Sequence, residues 1–328
     1  MTRKVQPLRS AKSPSKTVNS LPGSDDITRT VLPNGIVVLV RSNFDSPSVV
    51  ISGYVNTGSI FEPDEKLGLA DFTASALLRG TRKRSFQKIY DSIESVGASL
   101  GFSGGTHTTS FSGRALSEDL PLLIDLLSDS LRHPAFPYEQ VEKLRAQLLT
   151  SLAVRSQDTS DMASMAFDKI VFAGHPYARP DDGYPETVRA ITQEDLRDFH
   201  RRHFGPKEMA IAVVGAVEPR SAVEQVAEVL GSWKNPSQPE QPSLPPLELL
   251  KETTRRHVQI RSEAEDWIPA YLLVPKQLAA ARAPAMICLH QTVAQGKEEP
   301  CGMKGDPELA FAVELVKRGY VCLAPDVI

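Results

Sequence analysis

No apolar run in this 328-residue chain approaches the ~20 residues that a membrane-spanning helix needs, so a helical span is excluded as an organising feature. A large excess of one charge sign is missing too. The formal net charge is −3 with 23% charged residues, so no strong field draws the chain toward nucleic acid. Cysteine is scarce. Cys288, Cys301 and Cys322 form an odd set without zinc-knuckle or redox spacing, which argues against a disulfide framework and for buried free thiols. Acids are absent from the first 24 residues, which carry Arg3, Lys4, Arg9, Lys12 and Lys16. That composition is transit-peptide-like, but without amphipathic periodicity residues 1–26 read as a disordered basic tail. No apolar h-region is present, so a secretory signal is not expected. The expected compartment is cytoplasmic, with an organellar transit peptide as the alternative.

Proline supplies the main internal boundary. Asn235–Pro246 holds five prolines, which favour an extended, semi-rigid connector over a packed helix and mark a linker at 236–247. All three cysteines fall in the last 41 residues, so the part beyond this linker reads as a separate module, 248–328. The module before it, 27–235, alternates strands with amphipathic helices. Ile36–Val40 and Val49–Val55 are β-branched and read as adjacent strands. Ser85 is placed to cap a helix with Phe86, Ile89, Tyr90 and Ile93 on its apolar side, stopped at Gly97. Ala98–Gly104 and Thr106–Arg114 return as strands. Ser117 is expected to cap a helix carrying Leu120, Leu123, Ile124, Leu127 and Leu131 at core spacing, and another helix runs from about Tyr138 to Arg155. Thr192 and Asp195 form a Thr-x-x-Asp capping pattern ahead of a helix ending near His203. Met209–Val214 is a buried-type strand, followed by a helix through Val223, Val226 and Leu230. The fold class implied is α+β, a sheet with helices on one face.

Residues 68–81 have the frame of a metallopeptidase helix. An inverted His-x-x-Glu-His motif puts two imidazoles on one helix face with a Glu as general base. Registered on the flanking residues, those three places hold Asp71, Ala74 and Ser75. Asp71 offers an oxygen, Ala74 offers nothing, and a serine hydroxyl is a poor zinc ligand.

The chain resembles the insulinase/pitrilysin family, which includes the mitochondrial processing peptidases, over roughly residues 27–235. Leu32-Pro33-Asn34-Gly35, Gly58-Ser59 with Glu62, Gly68-Leu69-Ala70, Gly80-Thr81, His175-Pro176-Tyr177, Gly183–Ile191 and His203-Phe204-Gly205-Pro206 match in order. The resemblance implies a third zinc ligand, a Glu, near Ser151 or Leu152, yet residues 143–157 contain no Asp or Glu. Zinc, the family's cofactor, is therefore not expected here, and no catalytic residue is assigned. The family includes non-catalytic subunits that pair with an active metallopeptidase and help enclose peptide substrate, and that is the role implied for this chain. An active zinc peptidase with unusual ligands ranks last.

Two other patterns carry less. Gly97–Gly101 and Gly101–Gly105 both satisfy Gly-x-Ser-x-Gly, but a nucleophile elbow needs a strand feeding a helix, and here a helix feeds strands. Ser99 and Ser103 are accordingly not assigned a nucleophilic role. His200 and His203 stand at i and i+3 without an acidic or thiol partner at metal-site spacing, so structural roles are expected.

Residues 248–328 resemble the opening of a dienelactone-hydrolase-like α/β hydrolase. His257–Arg261 and Ile268–Val274 read as a hairpin, Pro284–His290 as a buried parallel-type strand, Pro307–Arg318 as a helix, and Tyr320–Asp326 as another buried strand. The resemblance makes His290, Gln291 and Thr292 the remnant of an oxyanion-hole loop, and implies that nucleophile, base and orienting acid come after residue 328. The alternative reading is thus a serine hydrolase whose catalytic half is absent from this chain. Such a partial sheet is expected to expose apolar surface, and the chain reads as a fused or truncated frame.

Overall fold

The computed structural model describes residues 23–246, 253–261, 267–276 and 283–326. The strands are β1 Thr28–Val31, β2 Val37–Ser42, β3 Ser48–Val55, β4 Ser99–Gly104, β5 Thr109–Leu116, β6 Ala210–Gly215, β7 Thr253–Arg261, β8 Trp267–Pro275, β9 Ala285–Ile287 and β10 Val321–Pro325. The α-helices are α1 Leu69–Ala76, α2 Phe86–Glu94, α3 Leu120–Arg132, α4 Tyr138–Arg155, α5 Thr159–Val171, α6 Pro185–Ala190, α7 Gln193–His203, α8 Pro219–Leu230 and α9 Phe311–Lys317. They group into two compact units. Among the described residues, one is built from those up to Ala153 with Asp181–Gln241, the other from Val154–Pro180 with those from Pro242 onward.

The first unit is a six-stranded sheet of order β1-β2-β6-β3-β5-β4. Alternation along β5 points Thr109, Phe111, Gly113 and Ala115 inward and leaves Ser110, Ser112, Arg114 and Leu116 exposed, the period-two pattern of a half-buried strand. The inward face meets Phe72, Leu77, Leu127, Leu196, Val226 and Leu230 in one continuous core of helix and strand residues. The opposite face is open: Val50 and Val214 are direct cross-strand partners and both are exposed, as is Tyr54.

Several local signals act as the residue types dictate. The Ser85 hydroxyl accepts the Lys88 N–H at 3.3 Å, and Thr192 and Asp195 exchange reciprocal backbone bonds, so two orphan donors of α7 are satisfied at once. Two expectations are corrected, and one helix is added. β2 and β3 are not neighbours, because β6 lies between them, parallel to β2 and antiparallel to β3. A return of the chain after about 170 residues sets that pairing, and local pattern does not encode it. Ser117 does not cap α3; it sits in a 3-10 turn ahead of it, its N–H bonded to the Pro47 carbonyl at 2.8 Å. The helix α5 lies in a segment to which no element had been assigned; its N-cap Asp158 accepts the N–H groups of Ser160 and Asp161.

The second unit carries a sheet of order β7-β8-β10-β9, with β7 and β8 an antiparallel hairpin and β9 parallel to β10 across α9. The strand expected at Pro284–His290 is shorter and less buried. Only Ala285–Ile287 pairs, and Ile287 and Leu289 are 64% and 63% exposed. The helix expected at Pro307–Arg318 divides into a 3-10 turn, Pro307–Leu309, and α9. Cys288, Cys301 and Cys322 are all free and buried, in a core with Leu315 and Val316.

Candidate functional site

The motif helix α1 is fixed from several directions. Buried Glu62 accepts the Gly68 N–H at 2.9 Å and also the Ala70 N–H, holding the helix N-terminus by a carboxylate where the macrodipole favours one. Gly68 and Gly183 both have positive φ, 92° and 71°, and let two backbone segments touch. A Cβ on Gly183 would sit 2.1 Å from the Leu67 carbonyl oxygen. At the other side the end of β4 is pressed onto the helix, since a Cβ on Gly104 would lie 2.5 Å from the Asp71 Cα. Helix α4 completes the frame. Its Arg145 guanidinium lies over the Phe72 ring at 5.2 Å, and Arg79 donates to Gln147 at 2.6 Å. Thr81 and Arg84 just beyond α1 bond the buried Asp129 carboxylate of α3 at 2.7 and 2.6 Å.

On this helix Asp71 and Ser75 are half-buried and Ala74 is fully buried. Asp71 Oδ1 accepts the Gly104 N–H at 3.2 Å. Burial pushes its carboxyl up to about 6, against the pull of the Gly104 bond and with help from the negative charges of Asp182 and Asp181. These two acids were not singled out from sequence, although they adjoin the matching stretch that begins at Gly183. Asp181 is itself bonded by the Ser59 and Thr106 hydroxyls. At the third-ligand position Ser151 is exposed and Leu152 is buried in the core.

These residues do not fit a zinc ion. A carboxyl whose surroundings favour its protonated form is a weak ligand; Ala74 has no donor atom and Leu152 presents carbon. Among the described residues no group of three His, Cys, Asp or Glu side chains is placed to hold a metal. At the place the motif registration gives to the general base, the side chain is the buried Ala74 methyl.

The other sequence candidates lie elsewhere. Ser99 and Ser103 are exposed on β4, a strand with no helix after it. His200 Nε2 lies 2.9 Å from the Leu131 carbonyl and its ring stacks on Phe204; burial pushes it down to about 4. His203 packs between Phe61 and Phe199, and burial and Arg202 push it down to about 4. Both imidazoles are core groups. In the second unit His290 Nδ1 contacts the Gln291 carbonyl at 2.5 Å, and its Nε2 lies 3.9 Å from Asp326, which also pairs with Lys297. Gln291 and Thr292 are exposed. Among the described residues no helix is long and apolar enough to cross a membrane.

Comparison with known proteins agrees with the frame. Residues 37–181 match insulinase (peptidase family M16), and residues 190–296 match the peptidase M16 inactive domain. An uncharacterized zinc protease of Streptomyces coelicolor is 30% identical over 66% of this chain and 48% of its own length. The probable mitochondrial-processing peptidase subunit beta of Arabidopsis thaliana is 28% identical over 60% of this chain and 37% of its own. The crystal structure of a peptidase M16 inactive domain from Pseudomonas fluorescens shares the fold, with a TM-score of 0.58 at 24% identity over 68% of this chain and 53% of that one. The chain spans about half the length, or less, of the curated relatives it matches. Nothing in these matches supports the dienelactone-hydrolase resemblance of residues 248–328, part of which the second family match overlaps. Matched in order by both domains of one family, and carrying the helix frame of its motif, the chain is supported as a member of the insulinase family, M16.

Proposed function

We propose that residues 27–235 act as a non-catalytic insulinase-family domain that pairs with an active metallopeptidase subunit and helps enclose its peptide substrate. The observation that carries this reading is α1: its supports are complete while its motif face, Asp71, Ala74 and Ser75, lacks ligands and base. Packing and recognition need the fold but not the metal. Two further features suit a substrate-enclosing partner. β4 is a sheet edge ending beside Asp71, and an edge strand offers backbone groups to an extended peptide. The open sheet face exposes Val50, Tyr54 and Val214. That one relative is called a processing peptidase subunit is in keeping with work in a pair.

Co-expression with an active His-x-x-Glu-His homologue from the same source tests the reading. A stable complex on size-exclusion chromatography, with peptidase activity above that of the active subunit alone, is the expected result. Separate elution at micromolar concentration with unchanged activity contradicts it.

The second reading, a partial serine hydrolase in residues 248–328, is favoured by one observation. The β7–β8 hairpin precedes a parallel β9–α9–β10 unit with His290 next to its end, as the resemblance implies. The nucleophile is not among the described residues of that sheet, so p-nitrophenyl acetate turnover by this chain is expected at background. Turnover abolished by Ser99→Ala or Ser103→Ala would move the chemistry to the first unit and contradict both readings.

A further inference from the structure

A second concavity in the first unit has a different character from the motif face. It is a half-open pocket of about 520 Å³. It lies where the C-terminal ends of α3, α7 and α8 meet the turn after α1. Arg82, Arg132, Arg197, Arg201 and Lys234 line it, and none of the described residues lining it is acidic. Its size is within the range of small-molecule sites.

The bland explanation for such a cluster is helix capping, because cations are favoured near C-terminal carbonyls. The hydrogen bonds do not bear this out. The last carbonyls of α3 and α8 are served by His200, Arg132 and Asn34, which bond Leu131, Val229 and Leu230 respectively. Asn235 donates to the carbonyls of Arg201 and Phe204 at the end of α7, at 3.0 and 2.8 Å. Five cations therefore stand where one, Arg132, is needed. The side chains of Arg82 and Lys234 are exposed and have no partner among the described residues. Arg197 and Arg201 meet only Glu194 and Asp198 of their own helix, exposed i,i+3 pairs of the kind worth little. Arg132 Nε carries a buried N–H without an acceptor.

The pocket floor is aromatic. Phe136, Phe204 and Trp233 are buried there, and Phe136 is held at φ 47°, a conformation unfavourable for a bulky residue and often found at functional positions. Burial above all, with the positive charges of Arg132, Arg82 and Lys83 and against the negative charge of Asp129, holds the neighbouring His133 below its ordinary range.

We infer that this pocket binds a small multivalent oxyanion, carrying phosphates or several carboxylates. Guanidinium forks match either group bidentately, and a ligand of this kind neutralises charge that the protein itself leaves unpaired. None of Asp71, Ala74 and Ser75 on the motif face lines this pocket.

Isothermal titration calorimetry of the full chain at low ionic strength, with inorganic triphosphate in one arm and citrate in the other, tests the inference. Saturable one-to-one binding is expected, weakened about tenfold or more in the Arg82→Gln, Lys234→Gln double variant. A control pair, Arg29→Gln with Lys88→Gln, removes the same charge at residues that do not line the pocket and should change affinity less than about twofold. Binding of triphosphate alone assigns a phosphate-bearing ligand; binding of both assigns polyanions generally. Failure of both anions to bind, or equal losses in the two variant pairs, overturns the site. Circular dichroism of each variant establishes that it is folded, and single Arg82→Gln replaces the double variant if that one is not.

Discussion

On its buried side α1 sets Phe72 and Ala76 into the core, clamped by Glu62 at one end and by Arg145 and Gly104 along its length; on its motif side it sets out Asp71 and Ser75 with nothing to complete a metal site. The two sides are separated by a few ångströms and obey different constraints. The frame is held by many contacts that share the load, whereas the chemistry depended on a handful of side chains at fixed positions. A second contrast runs between the two units. The first sheet packs one face of its central strands against helices, while its edge strands β1 and β4 have no buried residue; in the second unit Ile287 of β9 and Leu289 beyond it are mostly exposed.

The largest effect is expected from breaking the frame. Phe72→Ala removes a side chain with no solvent exposure and is expected to cost about 3–5 kcal/mol in urea unfolding, read on the first unit. A loss under about 1 kcal/mol would mean that the helix is loosely held. Glu62→Ala leaves the Gly68 and Ala70 N–H groups without their buried acceptor, with an expected cost of about 2 kcal/mol.

Asp71 sharpens the comparison in the opposite direction. Its carboxyl is raised from 3.8 to about 6, so between those values the folded state holds a proton that the unfolded state has released. Stability therefore falls as pH rises through this window and levels off above it. Asp71→Asn should remove that slope and be more stable than the parent at pH 7 by up to about 2 kcal/mol, with little difference at pH 4. An Asn variant less stable at pH 7 would show that the carboxylate is tied by something stronger than the Gly104 N–H. The smallest effect belongs to the second sheet. Ile287→Ser, on its open face, should change stability by less than about 0.5 kcal/mol, and a larger loss would reveal cover on that face.

What could be read from sequence follows the same division. Local devices were legible because their physics is local: the Ser85 cap, the Thr192–Asp195 box and the apolar spacing of α3 all act within a few residues. The motif reading at Asp71, Ala74 and Ser75 rests on sequence alone, since the absence of a donor atom at Ala74 needs no structure to interpret. The place of β6 between β2 and β3 was not legible, since pairing across about 170 residues leaves no mark in either strand. Nor was the company of Asp71, because Asp181 and Asp182 reach it through a backbone crossing that depends on Gly68 and Gly183. The basic pocket escaped for the same reason: its five cations come from four separate segments.

We propose that this chain keeps the frame of a zinc helix without its donor set. Elemental analysis of the full chain, equilibrated with micromolar zinc and then freed of unbound metal, is the test. Far less than one zinc per chain is expected, with Asp71→Ala indistinguishable from the parent, because one half-buried carboxylate cannot approach the ~10–16 kcal/mol of a complete structural site. One tightly held zinc per chain, lost on Asp71→Ala, would contradict it.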